Sequence, residues 1–176
     1  MDVLHLIKPD AAYAGQITSY REEFLDSGSS MDGTGSLRYT ADPLEWLRHI
    51  DLFACKETVP ENMVQGTQFI YVRESDGKIV GMLQVRHYFN DYLEKYGGHI
   101  GYSVRPSERR KGYASRMLKD SLPYCAELGL KKVLLTCHEA NEGSRRTILS
   151  CGGVYESTAL EPDEGVRHER YWITVV

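Results

Sequence analysis

Residues 109–112 read Arg-Arg-Lys-Gly, the only run of three consecutive cations in the chain. An apolar segment at 100–104 precedes them through a short turn at Pro106, and an amphipathic pattern follows. A helix that begins here exposes unpaired backbone N–H groups and a partial positive charge, both of which favour a bound anion. Gly112 removes a side chain where the backbone must approach such a ligand closely. The pattern predicts a diphosphate-binding turn.

Strands and helices that could position this turn alternate along the chain. Apolar and alternating patterns predict strands at 3–7, 67–73, 78–88, 100–104, 132–137, 154–158 and 167–176. Helical spacing predicts helices at 10–25, 42–53, 114–128 and 141–151. Asp42 and Asn141 are suitable N-caps for two of these helices. Strands interleaved with helices predict an α/β fold with a mixed sheet.

Length and composition predict one globular domain with a sizeable core, from 176 residues. A net charge of -4 and a pI near 5.9 argue against nucleic acid as a partner.

The four cysteines form no Cys-x-x-Cys pair, which indicates a reducing, cytoplasmic compartment. We expect no membrane segment and no signal peptide. Histidines and cysteines lack metal-ligand spacing, so no metal site is predicted.

A combination of motifs carries a resemblance to a known family. A strand, the motif Arg-x-x-Gly-x-Ala at 109–114, an amphipathic helix, a buried strand, an Asn-capped helix and a final hairpin follow one another. Asn141, Ser144 and Gly152 stand at family-like spacing in the last of these helices. This order resembles the GCN5-related N-acetyltransferase (GNAT) superfamily over roughly residues 67–176.

The resemblance implies a single GNAT-like domain over residues 1–176. Its central sheet would be mostly antiparallel, with parallel middle strands that splay apart between flanking helices. Residues 1–66 would form the variable acceptor side, and residues 67–176 the acetyl-CoA-binding core. The implied function is transfer of an acetyl group from the acetyl-CoA thioester directly to a primary amine.

Cofactor contacts are also implied by the resemblance. Backbone N–H groups of residues 110–114 would hold the diphosphate, and the strand at 102–104 would pair its backbone with pantetheine. Asn141 and Ser144 would contact the pantetheine arm, and Arg109 falls at the motif's Gln/Arg position. The expected coenzyme A contacts are Tyr102, Ser103, Val104, Arg109, Arg110, Lys111, Gly112, Tyr113, Ala114, Asn141 and Ser144.

Catalysis of acetyl transfer needs a neutral amine, a held thioester and a stabilised oxyanion. Strand N–H groups near Val104 are expected to donate to the oxyanion. His99 is the best-placed candidate for a general base, and Tyr102 and Ser144 are candidates for protonating the thiolate. Side chains alternate along a strand, so His99 and Tyr102 should face opposite sides unless a bulge intervenes. The alternative for each residue is a structural role.

One departure from the family pattern bears on catalysis, beside the absence of a glutamate that some members carry where Gly98 and His99 stand. Many members carry a tyrosine about seven residues after the capping asparagine, where it protonates the thiolate, but this chain has Ile148. The alternative function is therefore a non-catalytic acyl-CoA-binding or regulatory module on the same fold.

The acceptor is predicted to be a small-molecule or peptide amine. Carboxylates concentrate before and within a Gly/Ser-rich loop and in the closing hairpin, at Glu22, Glu23, Asp26, Asp32, Glu161, Asp163 and Glu164. At the rim of an acceptor cleft they would favour a cationic amine; as ordinary surface they would not. A homodimer is suggested by an apolar chain end, comprising Tyr171, Trp172, Ile173, Val175 and Val176.

Overall fold

The structure is a computed structural model that describes residues 2–175. Its strands are β1 (Leu4–Ile7), β2 (Gly66–Arg73), β3 (Lys78–Arg86), β4 (Ile100–Val104), β5 (Lys132–His138), β6 (Val154–Glu161) and β7 (Val166–Thr174). Its helices are α1 (Ala14–Ser27), α2 (Pro43–Ala54), α3 (Tyr113–Glu127) and α4 (Glu142–Ser150). The predicted α/β class is confirmed, because strands and helices interleave along the chain.

The strands form two antiparallel sheets, in the orders β1-β2-β3-β4 and β5-β7-β6. The sheets meet where β4 and β5 begin, and there the His99 N–H donates to the Leu134 carbonyl at 2.7 Å. Beyond this contact the described residues form no ladder between β4 and β5. The two middle strands therefore splay apart, as expected, and leave the outer backbone edge of β4 uncovered.

Apolar side chains divide between the two faces of the first sheet. On one face, Ile70 and Met82 pack with α1 and α2 around Tyr20 and Trp46. On the other face, strand residues pack with α3, α4 and the second sheet. The fold thus has an α1/α2 face and an α3/α4 face, on opposite sides of the first sheet.

The apolar chain end lies inside the protein's own core. Tyr171, Ile173 and Val175 are all less than one-tenth exposed and pack against the α3/α4 face. Trp172 lies under the Lys132 ammonium, which is 4.3 Å from the ring centroid. Val176 lies outside the described residues. Three of the four described residues of this segment are therefore core residues, Trp172 is partly exposed, and a homodimer stays a prediction.

Every helix within residues 2–175 is too short or too polar to cross a lipid bilayer.

Candidate functional site

The turn before α3 has an unusual backbone. Arg110 and Gly112 both have positive φ, at 63° and 78°, and Gly112 caps α3 without a side-chain hydrogen bond. Among residues 2–175, no acceptor is found for the N–H groups of Arg110, Lys111, Gly112 or Tyr113. A Cβ added to Gly112 would meet nothing within 4 Å. Four consecutive N–H groups at a helix start, beside open space, form a cradle for an anion.

A buried carboxylate lies beneath this cradle. Glu108 is 4 % exposed and accepts from Lys111 and Lys78 at 2.7 Å each and from Arg73 at 2.9 Å. Desolvation would raise the pKa of Glu108, but these three cations outweigh it and lower the pKa to about 2. Glu108, which the sequence analysis did not single out, therefore fixes the base of the cradle to β2 and β3.

The three cations of the turn have different surroundings. Lys111 pairs with Glu108, so its charge is largely neutralised within the protein. The Arg109 guanidinium lies 5.6 Å from the Phe24 ring centroid, and its Nε donates to the Val104 carbonyl at 3.3 Å. Arg110 is exposed and makes no ion pair within residues 2–175. The backbone, rather than the whole cationic run, is the main anion-binding feature.

The outer edge of β4 offers unpaired backbone groups. Hydrogen bonds to β3 at His99 and Arg105 bracket the strand, and its antiparallel register runs without a shift. Backbone pairing alternates along such a ladder, so the backbone groups of Tyr102 and Val104 point away from β3. The Val104 carbonyl accepts from Arg109 Nε, and the Tyr102 carbonyl and the N–H groups of both residues face the gap between β4 and β5. An extended ligand could pair with this edge as an added strand.

Side chains from β4 and α4 meet across the α3/α4 face. The Tyr102 hydroxyl lies 2.9 Å from Ser144 Oγ, and the Ser144 N–H donates to the Asn141 side chain at 3.0 Å. Burial raises the pKa of Tyr102 to about 12, although the Ser144 hydrogen bond lowers it somewhat. Tyr102 is therefore a protonated phenol at neutral pH. The structure brings together the two residues expected to protonate a thiolate.

Ile148 is a core residue. It is fully buried, and a Cβ on the neighbouring Gly153 would meet its side chain at 2.5 Å. The position therefore packs α4 against the sheet and has no room for a phenol. Any proton donor to a thiolate must come from another residue.

His99 is buried between β4 and β5, where its ring makes contacts that hold the two strands together. Its Nδ1 accepts from the Leu134 N–H at 2.9 Å, so in the neutral ring the proton is on Nε2. Burial and the nearby Arg86 charge lower the pKa of His99 to about 4. Its ring also packs on Phe89 at a centroid distance of 4.0 Å. We do not retain His99 as the general base, since its accepting nitrogen is already occupied.

Two of the carboxylates expected at a cleft rim are engaged by other residues of the protein, Glu23 partly exposed and Glu161 buried. Glu23 accepts from the Ser107 N–H at 2.6 Å and pairs at 3.1 Å with Arg105, which is 2 % exposed. Glu161 is buried beside His168. This part of the expected rim is corrected, because both side chains hold the protein together. The structural role of Arg105 could not be predicted from the sequence, because its ion-pair partner Glu23 is 82 residues away.

The loop after α1 packs on the α1/α2 face of β4. Gly33 has a φ of 69°, and a Cβ there would meet the Gly101 carbonyl oxygen at 2.3 Å. Gln68 Nε2 donates to the Gly33 carbonyl at 2.7 Å, which holds the loop to β2. The loop thus forms a wall beside the middle of β4, on the side opposite α3 and α4.

Comparison with known proteins gives a family-level match. A family model described as Acetyltransferase (GNAT) family matches residues 38–152, which is more than half of the chain. A search of curated protein sequences found no match.

Several solved structures have the same fold. A ribosomal-protein-S5-alanine acetyltransferase from Vibrio fischeri aligns with a TM-score of 0.71 at 17 % identity, covering 99 % of this chain and 97 % of that one. The microcin C7 self-immunity acetyltransferase MccE, solved with acetyl-CoA and AMP, gives 0.70 at 17 % identity, with coverage of 98 % and 92 %. A spermidine N-acetyltransferase SpeG chimera from Vibrio cholerae and hSSAT gives 0.63 at 15 % identity, with coverage of 97 % and 94 %.

Proposed function

Because the chain belongs to the GNAT acetyltransferase family, we propose that it transfers the acetyl group of acetyl-CoA directly to a primary amine. The family match confirms the predicted family and the acyltransferase class. The observation that carries the proposed cofactor site is the run of four N–H groups at residues 110–113, without acceptors in the described structure, next to the uncovered edge of β4. A diphosphate and an extended amide-containing arm are the two ligand parts that these features fit.

The residues that would hold acetyl-CoA follow from these features. Backbone N–H groups of residues 110–114 would bind the diphosphate, with Arg110 adding a free charge. The edge of β4 at residues 102–104 would pair with the pantetheine amides. Asn141 and Ser144, at the start of α4, would line the opposite wall. Acetyl-CoA, once bound, supplies an activated thioester carbonyl.

The reaction requires a site for the oxyanion and one for the leaving thiolate. The amine nitrogen attacks the thioester carbon, the C–N bond forms and the C–S bond breaks, the nitrogen loses one proton, and the thiolate takes one. One of the two N–H groups that face the gap, at Tyr102 or Val104, would donate to the carbonyl oxygen as charge develops, and the other would remain for the pantetheine arm. The Tyr102 hydroxyl, supported by Ser144, would give its proton to the sulfur.

Tyr102→Phe should lower kcat by about tenfold while the acetyl-CoA Kd changes little. The effect is modest because a thiolate is already a fair leaving group near neutral pH. Initial rates of thiol release at saturating substrate give kcat, and calorimetric titration with acetyl-CoA gives Kd. A kcat equal to wild type would assign Tyr102 to packing alone.

The acceptor side is proposed to lie on the α1/α2 face and to be built by residues 1–66. The loop that packs on Gly101 supports this placement, because it borders the middle of β4 opposite the cofactor face.

A single domain over residues 1–176 is also proposed, because α1 and α2 pack on the same sheet that carries the cofactor site on its other face. The acceptor is proposed to be a small-molecule amine or an amine of a peptide or protein. Similar structures include one named as a ribosomal-protein-S5-alanine acetyltransferase and one named as a spermidine N-acetyltransferase. A cytoplasmic location stays a prediction.

A measurement of thiol release distinguishes the proposed acetyltransferase from the alternative, a non-catalytic acyl-CoA-binding module. The protein is mixed with acetyl-CoA and, in turn, spermidine, lysine and an alanine-initiated peptide, while free thiol is followed. We expect release above the no-amine rate with at least one amine, together with a heat of acetyl-CoA binding. Binding heat without release across a broad amine panel would favour the acyl-CoA-binding module. An absence of binding heat in folded protein would overturn the proposed cofactor site.

A further inference from the structure

His138 is the last residue of β5, and its imidazole is exposed. Val133, Leu135 and Cys137 pack into the core of the α3/α4 face. Side chains alternate along a strand, so His138 points to the opposite, α1/α2 face. On β4, Ser103 also points to that face, where the Tyr20 hydroxyl lies 2.9 Å from its Oγ. His138 and Ser103 therefore lie on the same side of the splayed strands.

The two residues also lie at the same level of the splay. His99 contacts Leu134 where the strands begin, and His138 and Ser103 each lie four residues further along. Strands rise by about 3.3 Å per residue, so the two positions lie at similar distances from the His99–Leu134 contact, one on each side of the gap. Cys137 lies close enough to Tyr102 to affect its titration, which agrees with this register. His138 thus borders the gap opposite the β4 edge proposed to hold the thioester.

A buried pair supports the imidazole of His138. The His138 and His168 rings are perpendicular, with centroids 4.8 Å apart. His168 is 7 % exposed, and its Nε2 lies 3.0 Å from a carboxylate oxygen of Glu161, which is 5 % exposed. A carboxylate only accepts, so Nε2 of His168 carries a proton and donates it. The pair fixes the position of the His168 ring against His138.

Other groups surround the His138–His168–Glu161 cluster. The Tyr96 ring, in a short helical turn over Leu93–Gly97, lies 6.0 Å from His168. Burial and the nearby Glu161 carboxylate raise the pKa of Tyr92. The Arg167–Glu139 ion pair, at 3.1 Å, flanks the end of β5. The described residues contain no group of three His, Cys, Asp or Glu side chains able to hold a metal ion. The cluster is therefore a set of proton-exchanging groups beside a gap.

From this placement we infer that His138 is the base that takes a proton from the acceptor amine, and that His168 and Glu161 position it. The inference rests on the proposed acetyl transfer. The amine nitrogen forms the new C–N bond and loses one proton to an imidazole nitrogen of His138. The leaving sulfur takes a proton from the Tyr102 side, so the two transfers occur on opposite faces of the sheet. This division keeps the base and the acid apart.

The first test replaces the imidazole. His138→Asn should lower kcat about 100-fold at neutral pH with the acetyl-CoA Kd unchanged, and added imidazole should restore part of the rate in His138→Gly. His5→Asn is the control, because His5 is an exposed histidine on the edge strand β1, with its Nε2 2.7 Å from a Glu74 carboxylate oxygen and three strands away from the gap. It should retain full kcat. An unchanged kcat in His138→Asn would overturn the inference.

The second test addresses the positioning residues. Glu161→Gln should lower kcat about tenfold with the acceptor KM unchanged, because the His168 ring loses the carboxylate that orients it against His138. A purely structural role would lower Tm and leave kcat, measured well below Tm, unchanged, which would overturn the positioning role. If wild type itself binds no acetyl-CoA or releases no thiol, the proposed function fails. If wild type is active and both variants keep its kcat, only the role of the histidine cluster fails.

Discussion

Gly112→Val is expected to weaken acetyl-CoA binding by about 100-fold, equivalent to about 2.7 kcal/mol. Two physical effects combine. The β-branched side chain disfavours the positive φ of 78° and turns the cradle N–H groups out of line. It also fills the open space above the backbone where the diphosphate would lie. Calorimetric titration with acetyl-CoA measures the change.

A matched control lies at the other end of the same helix. Gly129 has a φ of 81°, and a Cβ there also meets nothing within 4 Å. Gly129→Val therefore carries similar backbone strain, about 1–2 kcal/mol, but is remote from the cradle. It should lower Tm without changing acetyl-CoA affinity. Equal affinity losses in the two variants would show that strain in α3, and not the cradle, controls binding.

Glu108→Gln is expected to lower the free energy of unfolding by about 2 kcal/mol at neutral pH. The variant leaves Arg73, Lys78 and Lys111 without their shared counter-charge. The cost is below that of a fully buried pair, because Lys78 and Lys111 are partly exposed and can hydrate. Urea denaturation followed by circular dichroism measures the difference.

The pH dependence of this difference has a defined sign. The pKa of Glu108 falls from its ordinary value of 4.5 to about 2 on folding, so the folded state favours the carboxylate. Its stabilisation is complete above about pH 5 and is lost as pH falls through the window from 4.5 to about 2. The curves for wild type and variant should converge there. A difference that stays constant through that window would exclude the ion-pair explanation.

Glu142→Gln is the control for Glu108→Gln, because it removes a carboxylate from ion pairs on the protein surface. Glu142 pairs with Arg145 and Arg146 on α4, and its side chain is 53 % exposed. Solvent screens such pairs, so the expected loss is less than about 0.5 kcal/mol. A loss comparable to that of Glu108→Gln would indicate that burial is not the reason for the larger effect.

Local sequence patterns predicted most strands and helices, because the spacing of apolar residues and the capping side chains act over a few neighbouring residues. Apolar spacing gave the strand before the basic turn and the helix after it, and Asn141 caps α4 as its side chain suggested. The predicted strand over 132–137 differs from β5 by one residue, since His138 extends it. The need for glycine at position 112 was also visible, although positive φ at Arg110 was not, because arginine carries no preference for it.

The functional roles of single side chains depended on contacts between distant residues. The sequence shows three equivalent cations at 109–111, whereas the fold pairs one with Glu108 and stacks another on Phe24. His99 looked like a base because imidazole titrates near neutral pH, but burial against β5 occupies its nitrogen. Such outcomes depend on strand register and burial, which no short segment contains.

The amino-acid sequence by itself determined the α/β class and the motif of strand, basic turn and helix, because neighbouring residues fix helix starts and backbone N–H exposure. Only the tertiary structure decided which groups face the gap between β4 and β5. It joined Tyr102 to Ser144, 42 positions apart, and His138 to the buried His168–Glu161 pair. The physical reason is that these contacts arise when two sheets pack around one core, and the position of each side chain then depends on all the others.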